Sequence, residues 1–111
     1  MSLVERLRNL NMLATQTVNE NLKIFLKRNG EFIIKELEKK AKFGRNETTV
    51  NFSYEKNQYF YHLLLDYQKS MILNEFNNIL EQDEIYTGLS ITSVDFQVVD
   101  YTIIIHITFK W

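Results

Sequence analysis

The sequence predicts a soluble α+β domain with the element order α(α)-β-α-β-β, a three-stranded antiparallel sheet, and helices packed on one face of the sheet. Three observations predict this class. Residues 102–111 alternate large apolar with mostly polar side chains, as a strand with one buried face does. Residues 48–54 and 94–98 alternate in the same way. The remaining long segments carry apolar residues at helical spacing.

The length of 111 residues predicts one domain, residues 1–111, with a helical N-terminal region at 1–43 and a βαββ region at 48–111. The chain has no cysteine, so we expect no disulfides and no thiolate metal site. No apolar run approaches the roughly 18 residues of a membrane span, and the N-terminus lacks the apolar core of a signal peptide. We therefore expect a cytoplasmic protein without a membrane partner.

The N-terminal region reads as one kinked helix or as two to three shorter ones. Ser2 and Glu5 match the capping box that starts a helix. A break is expected at Asn29-Gly30, and Gly44 predicts the end of the region. A break near residues 15–17 is an alternative to an uninterrupted helix, which would also place the apolar stripe well. The apolar stripe of this region consists of Leu3, Leu7, Leu10, Ala14, Val18, Leu22 and Phe25.

The rest of the chain predicts a strand, a long helix and a hairpin. The helix is expected to run from an N-cap at Asn57 to about Glu81. A tight turn at residues 100–101 then pairs the last two strands. The expected cross-strand pairs are Val98 with Ile103, Phe96 with Ile105, and Val94 with Ile107. Leu89 and Ile91 fall on the opposite face of the alternation from Val94, Phe96 and Val98, which predicts a β-bulge or a strand that begins only near Thr92. The simplest way to close the sheet gives the strand order 1-3-2.

The charge distribution is uneven although the net charge is only −1. Residues 1–56 carry eleven Lys/Arg and seven Asp/Glu, a net +4, while residues 57–111 carry two and seven, a net −5. The small total argues against a protein whose main task is to neutralise phosphates. The asymmetry is compatible with head-to-tail association of copies, with complementarity inside one chain, or with chance.

Motifs for catalysis are missing from the sequence: it has no glycine-rich phosphate loop, no G-x-S-x-G and no H-E-x-x-H. His62 and Asp66 share a helix face, but two ligands do not make a metal site. His106 lies on the outward face of the last strand near Asp95 or Gln97, where a small-ligand pocket is a minor alternative to a solvated sheet face. We predict no enzyme activity, no catalytic residue, no metal and no cofactor.

An aromatic cluster on the second helix is the main candidate for an interface, because aromatic side chains concentrate in protein–protein contacts. About half of the cluster is expected to serve core packing. A bulky aromatic at the last residue adds to it. The predicted interface residues are Tyr59, Phe60, Tyr61, Tyr67 and Trp111.

A basic helix face supports the alternative of nucleic-acid binding. Its residues are Lys35, Lys39, Lys42 and Arg45. Interleaved glutamates and the acidic pI of about 6.1 favour a solvated face with ion pairs instead.

The sequence therefore favours a non-enzymatic protein–protein interaction or assembly module that forms homo-oligomers or docks on a protein partner. The favoured residues Asn, Ile, Lys, Phe and Tyr have A/T-rich codons, which is compatible with a small phage or viral structural or accessory protein. Such a protein would be cytoplasmic or virion-associated.

Overall fold

A computed structural model describes residues 2–55 and 59–111, with the side chains of residues 59–61 outside the description. A short 3-10 turn at Glu84–Tyr86 joins the last helix to the second strand. The elements are α1 (Leu3–Ala41), β1 (Glu47–Glu55), α2 (Tyr59–Asp66), α3 (Lys69–Gln82), β2 (Ser90–Val99) and β3 (Thr102–Lys110). The predicted α+β class is confirmed.

The sheet has the order β1-β3-β2, and both neighbouring pairs are antiparallel, as predicted. The three predicted cross-strand pairs are present, from Val98 with Ile103 to Val94 with Ile107. Asp100 turns the hairpin with a φ of 53°, a left-handed conformation that aspartate tolerates better than most residues. The C-terminal strand is therefore the centre of the sheet.

The start of β2 contains the predicted bulge, as a register shift between Ile91 and Ser93. The strand begins at Ser90, so the alternative start near Thr92 is wrong. Asn77 of α3 fixes this point because its amide accepts from the Ile91 N–H at 2.8 Å and donates to the Ile91 carbonyl at 2.9 Å. The bulge thus keeps Ile91 on the core face, where it is buried.

The N-terminal region is one uninterrupted helix, so the break predicted at Asn29-Gly30 is wrong, and at residues 15–17 the alternative without a break is the one observed. Thr15 and Thr17 donate their hydroxyls to the carbonyls of Asn11 and Leu13, both at 3.0 Å, and so remain compatible with the helix. The Asn29 amide donates to the Phe25 carbonyl at 2.9 Å, also within the helix. The end predicted near residues 43–44 is confirmed, since α1 ends at Ala41.

Gly30 serves a close approach and not a helix end. It is buried in the middle of α1, and a Cβ added to it would lie 2.8 Å from the Tyr86 hydroxyl. Only glycine leaves room for a tyrosine oxygen against the helix backbone at this point. Gly30 therefore accommodates a tertiary contact with Tyr86, although its sequence context suggested a helix end.

The predicted second helix is divided into α2 and α3, so the expectation of one continuous helix is wrong. Gln68 interrupts it with an extended backbone conformation, φ −62° and ψ 135°. α2 contacts β1, whereas α3 contacts α1 and β2, and β1 and β2 are the opposite edges of the sheet. The interruption lets the chain pass from one edge to the other. The predicted N-cap, Asn57, lies outside the described residues.

The core lies between the helices and one face of the sheet. Phe25 of α1 stands edge-on to Phe52 of β1 and Phe76 of α3, with ring centroids 5.0 and 5.7 Å apart. The inward residues of β3, from Ile103 to Phe109, are fully buried. Short polar side chains cover the outward face, where the Thr49 and Thr108 hydroxyls are 2.8 Å apart. Among the described residues no polar or charged residue is buried.

Candidate interaction surfaces

The first twelve residues of α1, residues 3–14, extend beyond the rest of the protein. We call this segment the extension. Its side chains up to residue 13 are all exposed, whereas burial becomes complete at Val18. A 39-residue helix is about 58 Å long at 1.5 Å per residue, which matches the longest dimension of the molecule, 56 Å. The helix is thus longer than the sheet it covers.

The extension is strongly apolar for a surface helix. Leu10 and Leu13 are 60% and 59% exposed, and Met12 is 63% exposed. Exposed apolar side chains are ordinary when they occur singly, but a contiguous group of them marks an interaction site. The large apolar residues exposed here are Leu3, Val4, Leu7, Leu10, Met12 and Leu13.

The exposed stripe of the extension continues the buried stripe of the same helix. Leu3, Leu7, Leu10 and Ala14 follow at intervals of four, three and four residues, and the buried Val18 comes four residues later. The apolar side of the extension therefore faces the same general direction as the side of α1 that packs on the core. The remaining described residues, 15–55 and 59–111, which we call the body, leave the extension uncovered up to residue 13.

Local interactions hold the extension in a helical conformation. The Ser2 hydroxyl accepts the Glu5 N–H at 3.2 Å, which is half of the predicted capping box. An isolated helix of about twelve residues is marginal in water. The extension avoids this limit because it continues a helix that the core already stabilises.

A second candidate surface is an open groove of about 850 Å³ between α1 and the end of α3. Its floor includes Leu26, Ile34 and Ile79, and the exposed Ile85 stands at its edge. Lys23 and Lys27 lie on the α1 side, whereas Asp83 and Glu84 lie on the opposite side. The groove is therefore apolar at the base with oppositely charged rims.

Two tyrosines that pack against α1, Tyr54 of β1 and Tyr86 of the 3-10 turn, have raised pKa values. Burial raises the pKa of Tyr86, and the nearby negative charge of Asp83 raises it further. Burial also raises the pKa of Tyr54, although a hydrogen bond from Asn29 at 3.2 Å and the charge of Arg28 oppose the change. Both rings act as neutral packing groups and not as acids or bases near neutral pH.

The predicted aromatic interface is only partly described. Tyr67 is half-buried and packs against the core instead of pointing outward. Tyr59, Phe60 and Tyr61 lie in α2, but their side chains are outside the described residues. Trp111 is 37% exposed, and its backbone N–H donates to the Asn46 carbonyl at 2.9 Å, which ties the end of the sheet to the chain before β1. The aromatic interface remains a prediction.

The predicted basic face is exposed at the C-terminal end of α1 and just beyond it. Lys35, Lys39, Lys42 and Arg45 are all exposed. Lys39 pairs with Glu36 at 3.5 Å, an i,i+3 pair on the surface that contributes little stability. Phe43, which no sequence argument selected, is 82% exposed in the middle of this cluster.

The two histidines lie on different surfaces. His62 and Asp66 are exposed on α2. His106 is on the outward sheet face, where its Nδ1 is 2.6 Å from Asn51 Oδ1. His106 lines neither the α1–α3 groove nor a smaller cavity of about 280 Å³ beside Phe32 and Tyr54. The described residues contain no group of three His, Asp or Glu side chains placed to hold a metal.

The fold and its surfaces define an α+β protein with a projecting amphipathic helix end. In the described part of the chain, no helix has the length and apolarity of a membrane span. Comparison with family models, with curated proteins and with solved structures gives no match.

Proposed function

We propose that the protein is a non-enzymatic protein–protein interaction or assembly module that associates with copies of itself or docks on a larger protein. One observation carries this proposal: the extension exposes six large apolar side chains on a preformed helix. A preformed helix loses little conformational entropy on binding, and apolar helix faces commonly bind in the grooves of partners.

The distribution of charge along the chain supports the same class of function. The basic first half and acidic second half allow charge complementarity between copies. The A/T-rich codon preference of the composition adds the narrower proposal of a phage or viral structural or accessory protein, located in the cytoplasm or in a virion.

Light scattering of the full chain over a concentration series from about 5 to 500 µM tests the proposal. We expect a mass above the 13.3 kDa of one chain, increasing with concentration. The double substitution Leu7→Ser and Leu10→Ser should return the mass to that of a monomer. Tyr101→Ser is the matched control, because Tyr101 is 83% exposed on the hairpin turn, away from the extension.

Two results would overturn the proposal. The first is a wild-type chain that stays monomeric over the whole series and also purifies without a bound protein. The second is an equal loss of association in the extension variant and in the Tyr101 control, because the extension would then have no specific part in assembly.

A second candidate function is nucleic-acid binding at the C-terminal end of α1. Phe43 favours it, because an exposed aromatic ring among Lys40, Lys42 and Arg45 offers a surface on which a base can stack. Binding should weaken steeply with salt. Absence of DNA or RNA retention at about 50 mM salt, or retention unchanged by Phe43→Ser and Lys42→Ser, would exclude this function.

A further inference from the structure

We infer that the occupant of the extension is the extension of a second copy, packed against it in the antiparallel direction around a two-fold axis. The inference rests on the proposed function and specifies its partner and geometry. Residues 3–14 favour this pairing through the spacing of their apolar side chains, their position relative to the body and their charges.

The spacing of the stripe is complementary to itself when the chain direction is reversed. Intervals of four, three and four residues read the same from either end, so an antiparallel copy brings Leu7 against Leu10 of the second copy and Leu3 against Ala14 of the second copy. Such alternation of three and four residues is the spacing of two-stranded coiled coils. A contact in which each residue pair occurs twice is the isologous contact of a two-fold dimer.

The position of the body selects the antiparallel direction. The exposed stripe faces the same side as the buried stripe of α1, so whatever covers the extension lies beside the end of its own body. In a parallel pair, both bodies would occupy the same region next to the paired helices. In an antiparallel pair the bodies lie at opposite ends, and each extension, about 18 Å long, fits the open space beside the other body.

The charges of the extension are compatible with this pairing. Residues 3–14 contain Glu5, Arg6 and Arg8 and no other charged side chain. On one flank Arg6 lies beside Leu13 of the second copy, whose apolar surface the arginine stem can cover, and on the other flank Val4 lies beside Asn11. No two like charges oppose each other directly across the contact.

The size of the contact predicts a reversible dimer. Covering the five exposed apolar side chains on the paired side and its flanks in both copies buries on the order of 900 Å², the size of a weak or transient interface, while Met12 on the opposite side of the helix stays exposed. We therefore expect dissociation in the micromolar range, with dimers at high concentration and monomers on dilution.

Disulfide trapping with the full chain tests the geometry of the pairing. Because the sequence has no cysteine, any disulfide must form between the introduced cysteines. Two single variants are made, Leu3→Cys and Ala14→Cys, and each is oxidised alone and in an equimolar mixture at about 100 µM protein. A disulfide requires Cα atoms within about 7 Å. In the antiparallel dimer the two copies of residue 3 are about 16 Å apart along the helices, whereas residue 3 faces residue 14.

The expected result is a covalent dimer in the mixture, at least fivefold above either variant alone, with a 3–14 disulfide confirmed by mass spectrometry. Covalent dimers in each variant alone would indicate parallel pairing and overturn the inference. A dimer seen by light scattering without any trapped disulfide would also overturn it, while leaving the proposed interaction function intact. A strict monomer up to about 500 µM would overturn the pairing and the self-association on which it rests.

Discussion

The two parts of α1 differ in environment far more than in sequence pattern. The extension and the embedded part, residues 18–37, carry the same kind of apolar stripe on one continuous helix. Yet Leu22 is fully buried and Leu10 is 60% exposed. The apolar side chains of the embedded part pack against the sheet and against the aromatic rings of the core. Within the described chain, nothing covers the apolar side chains of the extension in this way. An apolar stripe therefore shows that a helix needs a partner, but not whether that partner belongs to the same chain.

Hydrogen exchange should show the largest contrast between the two parts. At low micromolar protein we expect backbone amides of residues 18–37 to exchange by global unfolding, with free energies of about 5 kcal/mol or more. Amides of the extension should exchange with free energies of only about 1 kcal/mol, because helical hydrogen bonds protect them without tertiary cover. Equal protection of both parts at low concentration would contradict the comparison, and protection of the extension that increases with concentration would support pairing.

The same truncation should have different costs in the two parts. Leu22→Ala removes a fully buried side chain and should lower the free energy of unfolding by about 2–5 kcal/mol. Leu10→Ala, its matched control on the same helix, should change it by less than about 0.5 kcal/mol in dilute monomer. Urea unfolding measures both. If Leu22→Ala does not fold, Ile33→Val at another fully buried position should cost about 1 kcal/mol.

Gly30→Ala should reverse the usual sign of a glycine-to-alanine change in a helix. Alanine normally stabilises a helix interior by about 0.5–1 kcal/mol. Here the new Cβ would lie 2.8 Å from the Tyr86 hydroxyl, so we expect a net loss of about 1 kcal/mol. In a Tyr86→Phe background the same change should become stabilising. A gain in both backgrounds would show that Tyr86 does not constrain this part of α1.

Alkaline pH should have the smallest effect of the four, and it should act through Tyr54 and Tyr86, which pack against the embedded part of α1 and not against the extension. The folded-state pKa values of Tyr54 and Tyr86 are raised above 10.0 because burial disfavours the phenolate. Above pH 10.0 the unfolded chain releases these protons before the folded chain does, so stability present below that pH is lost as pH rises through the folded-state values. The urea midpoint should therefore fall, and Tyr54→Phe or Tyr86→Phe should reduce the fall. The extension contains no tyrosine.

Much of the fold could be predicted because its signals are local or pairwise. Strict alternation specified the strands, and the hairpin register followed from matching Val94, Phe96 and Val98 with the apolar residues of β3. The errors share one cause. Asn29-Gly30 looked like a helix end, but Tyr86, distant in sequence, explains the glycine. The interruption at Gln68 likewise depends on the positions of β1 and β2 and has no strong local signal.

The candidate surface was the part most difficult to predict. The stripe from Leu3 to Phe25 was identified, but its spacing does not indicate which of its residues are covered. Strands of nine or ten residues are about 30 Å long, about half the length of a 39-residue helix. That α1 extends beyond the sheet could be recognised only once the helix was known to be continuous. The high exposure of the Phe43 side chain likewise depends on the geometry of the end of α1.

The sequence by itself determined the α+β class, the strand register and the presence of an apolar stripe along α1, because these depend on side-chain periodicity. Only the tertiary structure decided which part of that stripe is covered. Burial depends on the length of the sheet and on which elements reach a given turn of the helix. The periodicity of the side chains specifies neither of these two properties. Leu22 and Leu10 have the same side chain on the same helix, and the end of the body between them makes one a core residue and the other a candidate contact.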